Sequence, residues 1–455
     1  MYSIHTFLLQ KELFRSSEPV KTSVVSSFTD TPALQQIARQ ADSDYILFCT
    51  SPIELHPYAI GRMYQIAESN DGALFYSDYQ EIRQGKKIHH PTLEYQTGSI
   101  RNDFDFGQLL LFRNDSFQQV VAQMNTDYRF AALYELRLSI SRLGKIVHIP
   151  ETLYTVQPTD LRLSGEKQFD YVDPANREVQ LEMEAVCTAH LQAIGAWLAP
   201  EFQRIDFGQE NFAREASVII PVRNRKRTIA EAVESALQQQ TDFSFNVIVV
   251  DNHSTDGTGQ ILTELSRRYP NLIHHIPAST ELGIGGCWTE AILLPECGKF
   301  AIQLDSDDLY KDCHVLQRIV DTFYQENCAM VIGSYQMVDF KLEEIPPGLI
   351  AHREWTPDNG RNNALRINGL GAPRAFYTPV LRQIKFPNVS YGEDYATALA
   401  ISRKYPIARI YDPLYLCRRW EENSDHDLDI QQLNNYNFYK DKIRTLEIQA
   451  RISGK

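Results

Sequence analysis

The stretch Phe300-Ala-Ile-Gln-Leu-Asp305-Ser-Asp307-Asp308-Leu-Tyr310 sets the tightest limit on how this chain can fold. An apolar run stops abruptly in three carboxylates within four residues. Acids crowded at the end of a buried strand repel one another and carry a desolvation cost unless something positive sits among them. A divalent cation answers that need. Carboxylate oxygens suit Mg2+ or Mn2+, and those ions bring phosphates with them. The competing explanation is purely structural, because Asp and Ser also cap the helices that follow turns.

The stretch closes a run of alternating elements. Ala216–Val222 reads as a β-branched strand broken by Pro221, and Thr228–Gln239 as a helix. Asn246-Val-Ile-Val-Val-Asp251 is a strand ending on an acid, and Ser254-Thr-Asp-Gly-Thr258 caps a helix through Arg268. Leu272–Ile276 adds a third strand, and Gly283-Ile-Gly-Gly286 opens a helix ending near Leu294. Such alternation implies right-handed crossovers and a mainly parallel sheet, whose ligands sit beyond the carboxyl ends of the strands. Asp251 and Asp305–Asp308 both fall there. Further on, Ala329–Ile332 is a strand, 341–366 a long polar excursion, Asn368–Pro373 a glycine-rich segment, and Ser390–Lys404 a turn opening a helix. Strand Ala408–Tyr411 and the run Leu414–Asp425 follow, and an amphipathic helix over 428–451 closes the chain.

The first half is less regular. Residues 1–44 are weakly patterned up to a helix at Pro32–Ala41. Strands are expected at Tyr45–Cys49, Ala73–Tyr76, Gln108–Phe112 and Lys145–Ile149. Helices are expected over Glu54–Ser69 and Tyr134–Leu143, with a polar loop over 84–98. A long helix over 176–198 lies beyond a polar connector at 157–175. The boundaries that result are a first α/β domain at 1–156, a linker with a long helix at 157–214, a second α/β domain at 215–425, and a C-terminal helix at 426–455.

Composition then excludes classes. The formal net charge of −13 leaves no excess of cations to neutralise nucleic acid or an acidic membrane in bulk, although a local site for one diphosphate remains compatible. No apolar stretch approaches the ~20 residues of a membrane span. The start lacks the pattern of a secretory signal. Seven scattered cysteines without a Cys-x-x-Cys pair fit a reducing cytoplasm better than a disulfide or zinc framework.

An internal repeat runs through the chain. Tyr45-Ile-Leu-Phe-Cys-Thr-Ser-Pro-Ile-Glu-Leu lies over Phe300–Tyr310 without a gap, and Thr50, Ser51, Pro52 and Ile53 stand where Asp305, Ser306, Asp307 and Asp308 stand. At a second, constant offset, Phe130–Tyr134 lies over Tyr391–Tyr395, Ile140–Arg142 over Ile401–Arg403, and Leu153-Tyr154 over Leu414-Tyr415. Residues needed for packing should persist in both copies, and residues needed for chemistry only in the working one. Since about 44 residues precede the repeat, counterparts of the Pro221 and Asp251 strands are expected to be missing from the first copy.

With these elements in order, residues 216–425 resemble a family 2 glycosyltransferase of the GT-A fold. The resemblance rests on Val218-Ile-Ile-Pro-Val-Arg-Asn-Arg, Ile248-Val-Val-Asp-Asn-His-Ser-Thr-Asp-Gly-Thr258, Leu304-Asp-Ser-Asp-Asp308, Gly392-Glu-Asp394 and Tyr415…Arg418-Arg-Trp. It implies a Rossmann-like GT-A catalytic domain, with a mainly parallel mixed sheet flanked by helices, preceded by a truncated, degenerate GT-A-like domain. It further implies that Asp251 contacts the nucleotide base beside the backbone of Pro221, Val222 and Arg223, and that Asp305 contacts the ribose next to Ser306. Asp307 would hold Mn2+ or Mg2+ on the donor diphosphate, and Asp394, with Glu393 beside it, would be the general base. Arg418 is a diphosphate or salt-bridge residue. Asp308 is either a ligand or a helix-terminal acid.

The sequence departs from the family pattern where a histidine usually follows the base: Trp420 stands there, leaving Asn423, Asp425, His426 or water as the alternatives for its part. Asn252 replaces a second acid, and Gly286-Cys287-Trp288-Thr289 lacks the Arg and Asn often found in that segment. The expected activity is metal-dependent, inverting transfer from a nucleotide-sugar, a UDP-sugar first, to a glycan or lipid-linked acceptor. The expected location is the cytoplasm or the inner face of the membrane as a peripheral protein, with no nucleic-acid partner. The alternative is a catalytically silent nucleotide-sugar or glycan-binding module. Donor sugar, acceptor, linkage and oligomeric state are left open.

Overall fold

A computed structural model describes residues 2–10, 14–15, 20–156, 176–208, 210–420 and 428–454. Two compact units divide them: the first takes the residues up to Trp197 and those from Leu428 on, the second those from Leu198 to Trp420.

In the first unit the elements are β1 (Ile4–Leu8), β2 (Phe14–Arg15), β3 (Lys21–Val24), α1 (Thr31–Gln40), β4 (Tyr45–Cys49), β5 (Ile53–Leu55), α2 (Ala59–Glu68), β6 (Gly72–Arg83), β7 (Lys86–His90), β8 (Leu109–Arg113), α3 (Asn114–Val121), α4 (Ala132–Leu143), β9 (Lys145–Val156) and α5 (Arg177–Ala193). Strand β4 is buried throughout. Ile46 and Phe48 join the core on one sheet face, and Tyr45, Leu47 and Cys49 the core on the other. A strand's period of two sends alternate side chains to opposite faces, so an unbroken apolar run of this length suits a central strand covered on both sides. Each such side chain contributes about 1.5–3 kcal/mol by leaving water. Helix α1 starts where Asp30 accepts a hydrogen bond from the Ala33 amide at 2.8 Å, with proline in its first turn.

The second unit holds β10 (Ala216–Val222), α6 (Ile229–Leu237), β11 (Phe245–Asp251), α7 (Thr258–Arg268), β12 (Leu272–His275), α8 (Ile284–Leu293), β13 (Phe300–Gln303), β14 (Leu309–Tyr310), α9 (Val315–Glu326), β15 (Met330–Val338), β16 (Glu344–Ile350), α10 (Gly360–Asn363), β17 (Arg374–Tyr377), α11 (Thr378–Ile384), α12 (Glu393–Ser402) and β18 (Ile407–Arg418). Its sheet runs β12-β11-β10-β13-β17-β15-β18-β14, with β16 added beside β15. β12, β11, β10 and β13 are mutually parallel, and β17 is antiparallel to both its neighbours. The last helix of the chain, α13 (Ile430–Ile452), belongs to the first unit.

The two sheets share one plan. Read from the other edge, the first is β3-β1-β4-β8-β6-β9-β5, followed by β2, with β7 beside β6. Each neighbouring pair from β3 to β5 has the same parallel or antiparallel sense as its counterpart from β11 to β14. Here the expectation of missing strands is corrected: β1 stands in the place of β10, and β3 in that of β11. They escaped notice because only residues 9–20 lie between them, too few for the connecting helix that makes such strands recognisable. No counterpart of β12 is present among the described residues.

Smaller differences have similar causes. The helix expected from Glu54 begins at Ala59, because Ile53–Leu55 is a strand held between β2 and β9. The polar loop 84–98 contains β7, an exposed strand whose charged outer face hides its periodicity, and the excursion 341–366 contains β16. Helix α5, expected in a linker, is part of the first unit. All seven cysteines are free thiols. No helix among the described residues is long and apolar enough to cross a membrane.

Candidate active site

The acidic loop leaves β13 at the carboxyl end of the parallel strands. Its backbone is tied down from both sides: the Asp305 amide donates to the Tyr415 hydroxyl at 2.9 Å, and the Asp308 amide to the Asp305 carbonyl at 3.2 Å. Asp308 is buried and accepts the Arg418 amide at 2.8 Å. Burial first, then repulsion from Asp307 and Asp305, push its carboxyl well above the ordinary range. Burial also raises Asp305, with Asp307 adding to it, while hydrogen bonds from Gln303 and the nearby Arg374 oppose the rise. Asp307 keeps 13% of its side chain exposed; its Oδ2 accepts the Trp420 indole N–H at 3.2 Å and lies 3.7 Å from Nε of Arg225. The loop therefore crowds three carboxylates at one strand end, as its sequence implies, with Arg225 against Asp307.

Arg418 sits behind this loop rather than in front of it. It is 1% exposed, donates from Nε to the Asp307 carbonyl and from Nη1 to Glu231, and lies against the Phe340 ring. The geometry gives it a bracing contact with the acidic loop. Ser306 is buried within the loop. Asn423, Asp425 and His426 lie outside the described residues.

Asp394 and Glu393 open α12, in its first turn. Nη2 of Arg374 binds Asp394 Oδ2 at 2.7 Å. Arg374 also donates from its amide to the Gln303 carboxamide oxygen at 3.1 Å, and the Gln303 amide group donates to Asp305 at 2.9 and 3.1 Å. A polar chain Asp305–Gln303–Arg374–Asp394 thus joins the two acidic segments, which lie far apart in sequence. Neither Gln303 nor Arg374 stood out in the sequence. Their one signal is position: Gln303 is the last residue of an apolar strand, and Arg374 directly follows the glycine-rich segment. Glu393 is buried, and its Oε2 has no hydrogen-bond partner among the described residues. Burial, then the Asp394 carboxylate, push it up to about 8.

Asp251 ends β11 opposite Val222, one residue past Pro221 in the β10 register. It accepts the Ser254 amide at 2.9 Å and lies 3.3 Å from Nε2 of His274. Burial pushes its carboxyl up, but these hydrogen bonds outweigh burial and hold it below the usual range. Asn252, in place of a second acid, ties its amide group to the Leu282 carbonyl at 2.7 Å. Arg223, just beyond β10, is exposed.

The glycines in the first turn of α8 make room for the 387–390 segment and the start of α12. A Cβ on Gly285 would lie 2.0 Å from the Pro387 carbonyl oxygen and 2.9 Å from Cβ of Glu393, and one on Gly286 would lie 2.3 Å from Asn388 Oδ1. Trp288 packs on Phe376 and Phe386 nearby, in the interior.

A family model described as Glycosyl transferase family 2 matches residues 217–384, which hold β10 through α11 and the whole acidic loop. This is a family 2 glycosyltransferase domain. Curated relatives of the glycosyltransferase domain include a poly(ribitol-phosphate) beta-glucosyltransferase of Bacillus spizizenii, 24% identical over 230 residues, covering 49% of this chain and 35% of the relative. Another is a putative teichuronic acid biosynthesis glycosyltransferase of Bacillus subtilis, 26% identical over 195 residues, covering 43% of this chain and 74% of the relative. An uncharacterized glycosyltransferase of Nostoc sp. is 32% identical over 123 residues, covering 27% of this chain and 37% of the relative. The chain thus spans little more than a third of two of these relatives. Among solved structures, S. aureus TarS residues 1–349 in complex with UDP-GlcNAc is similar at 23% identity and a TM-score of 0.40, covering 52% of this chain and 72% of that one.

Proposed function

We propose that this chain transfers a sugar from a nucleotide-sugar, a UDP-sugar first, to a hydroxyl of a glycan or lipid-linked acceptor, with inversion at the anomeric carbon. The observation that carries the proposal is the polar chain from Asp305 through Gln303 and Arg374, all within the matched residues 217–384, to Asp394 just beyond them, at the carboxyl ends of the parallel strands. It puts a carboxylate able to accept a proton in one cluster with carboxylates suited to a donor and its cation. In the step proposed, the acceptor oxygen bonds to the anomeric carbon as its proton passes to Asp394. The bond from that carbon to the diphosphate oxygen breaks, and the nucleoside diphosphate leaves with the electron pair. Arg374 holds Asp394 in place for this role, and Glu393 lies beside it. Asp251, with the backbone of Pro221, Val222 and Arg223, would receive the base, and Asp305 with Ser306 the ribose.

The carboxylates suit a divalent cation. Burial and mutual repulsion raise both Asp305 and Asp308, which is the strain that a cation at the partly exposed Asp307 would relieve. Among the described residues no three His, Cys, Asp or Glu side chains form a cage, so Asp307 would share Mn2+ or Mg2+ with donor oxygens. Bound there, the ion would neutralise charge growing on the leaving diphosphate. Relatives named for poly(ribitol-phosphate) glucosylation and teichuronic acid synthesis support a polymeric acceptor.

The first unit is proposed to be a silent copy of the second. In the sequence match, Thr50, Pro52 and Ile53 take the places of Asp305, Asp307 and Asp308, and Phe48, paired with Leu110, that of Gln303, which accepts the Arg374 amide. Leu133 lies at Asp394 in the sequence match. The framework residues persist: Tyr154 and Tyr415 both accept a backbone amide, and Tyr134 and Tyr395 both donate to a backbone carbonyl. Packing would then be conserved where chemistry is lost. Its place in the protein would be packing, acceptor positioning or self-association.

Thermal stability of the full chain with a panel of nucleoside diphosphates, with and without Mn2+, tests the proposal. One nucleotide should raise Tm in a Mn2+-dependent way. If none of the panel raises it under either condition, the enzyme proposal fails.

A further inference from the structure

The loop after β10 concentrates positive charge in an acidic chain: Arg223, Arg225, Lys226 and Arg227 stand within five residues of a protein whose formal net charge is −13. Its backbone is fixed by the neighbouring turn. The Asn224 amide donates to Ser254 Oγ at 2.9 Å, and the Thr255 amide to Asn224 Oδ1 at 2.8 Å. The Arg225 amide donates to Thr258 Oγ1 at 2.9 Å, and the Lys226 amide to Asp256 Oδ2 at 3.0 Å. Asn224 holds a left-handed φ of 56°. A surface loop gains little stability from that expense in capping groups; a loop that must present side chains in a fixed place gains pre-organisation.

Two guanidinium groups from this loop meet the acidic loop at Trp420. Arg225 lies 5.8 Å and Arg227 5.3 Å from a Trp420 ring centroid, and Arg227 also lies 4.5 Å from that of Phe340. Trp420 donates its indole N–H to Asp307, the same carboxylate oxygen that Arg225 approaches at 3.7 Å. Aromatic faces hold guanidinium planes in a set orientation, and the in-plane fork of donors matches phosphate oxygens. The polar end of the sheet therefore carries cations opposite its three acids.

We propose that Arg225 and Arg227 clamp the diphosphate of the nucleotide donor, so that the chain itself supplies part of the positive charge that a cation at Asp307 would otherwise carry alone. The clamp rests on the nucleotide-sugar function proposed above. Trp420 has a defined part in it: it orients both arginines and turns Asp307 with its N–H.

Calorimetric titration of the full chain with inorganic pyrophosphate in EDTA, and with UDP and GDP in EDTA or Mn2+, tests the clamp. Wild-type protein should bind pyrophosphate in EDTA. R225A/R227A should weaken that binding by about tenfold or more, the scale of charge-assisted hydrogen bonds. R225K/R227K should fall between, because lysine keeps the charge and loses the fork. Since Arg225 also touches Asp307, R227A alone, at an exposed position, is measured beside it; weaker binding at unchanged Tm separates the clamp from folding. The clamp is overturned if wild-type protein ignores pyrophosphate in EDTA, or if R225A/R227A binds pyrophosphate and nucleotide as wild type does. Arginine-dependent pyrophosphate binding without binding of either nucleotide would instead sink the donor assignment and keep the diphosphate site.

Discussion

Asp394 and Glu393 are neighbours in sequence with different surroundings. Asp394 is paired with Arg374 and about one-fifth exposed, whereas Glu393 is buried. Asp394→Asn keeps an oxygen for Arg374 and removes the proton acceptor. Sugar transfer should therefore drop by about 10²–10⁴-fold, with the nucleotide-induced Tm shift retained. Transfer at the wild-type rate would remove Asp394 from the mechanism. For Glu393, the folded state holds a proton up to about pH 8, against an ordinary value of 4.5. A carboxyl raised in this way gives stability that is fully present below about 4.5, declines as pH rises, and is gone above about 8. Glu393→Gln should accordingly flatten the Tm–pH curve between those limits and exceed wild type at pH 8.5. Parallel curves for the two proteins would refute the assignment. The acids of this cluster were legible in the sequence because carboxylates ending apolar strands have few structural uses. Gln303 and Arg374 were not, because ordinary polar residues become a relay only when β17 pairs with β13.

At the scale of elements, the site depends on a close approach. Helix α12 can set Glu393 and Asp394 at the sheet end only because α8 presents glycine to the 387–390 segment. Gly285→Ala would drive a methyl group into the Pro387 carbonyl, at a cost of about 1–3 kcal/mol. Displacing the start of α12 should also lower kcat, by up to about 10²-fold, since reacting groups tolerate little misplacement. Denaturant unfolding together with kcat checks both. Loss of stability at unchanged kcat would show that the approach serves packing alone. Alternating strands and helices from β10 to β13 were readable because each strand is an apolar run bounded by turn chemistry. β7 and β16 were not, being edge strands whose exposed faces carry no apolar period.

At the scale of the whole molecule, one sheet plan is used twice, and the chain returns to its first unit to finish it. Helix α13 brings Asp441 and Arg444 into that unit, where Asp441 binds Arg101 at 3.2 Å, Arg444 at 2.8 Å and the Ser99 hydroxyl at 3.0 Å, all out of contact with water. Asp441→Ala would leave two buried guanidinium groups without that carboxylate, costing about 3–5 kcal/mol. Hydrogen exchange should then accelerate in β6, β8 and α13, while diphosphate binding by the second unit persists. Unchanged exchange there would mean that the triad does not hold the unit together. The sequence by itself determined the α/β class, the strands β10 to β13 of the second unit and the acids at their ends. These follow from local pattern, since burial and charge leave a periodic trace along the chain. Only the tertiary structure decided that β1 and β3 complete the first sheet, that α5 and α13 belong to it, and that Arg374 joins Asp305 to Asp394 across the second. Those are pairings between distant segments, set by strand order and complementary packing rather than by any run of neighbouring residues.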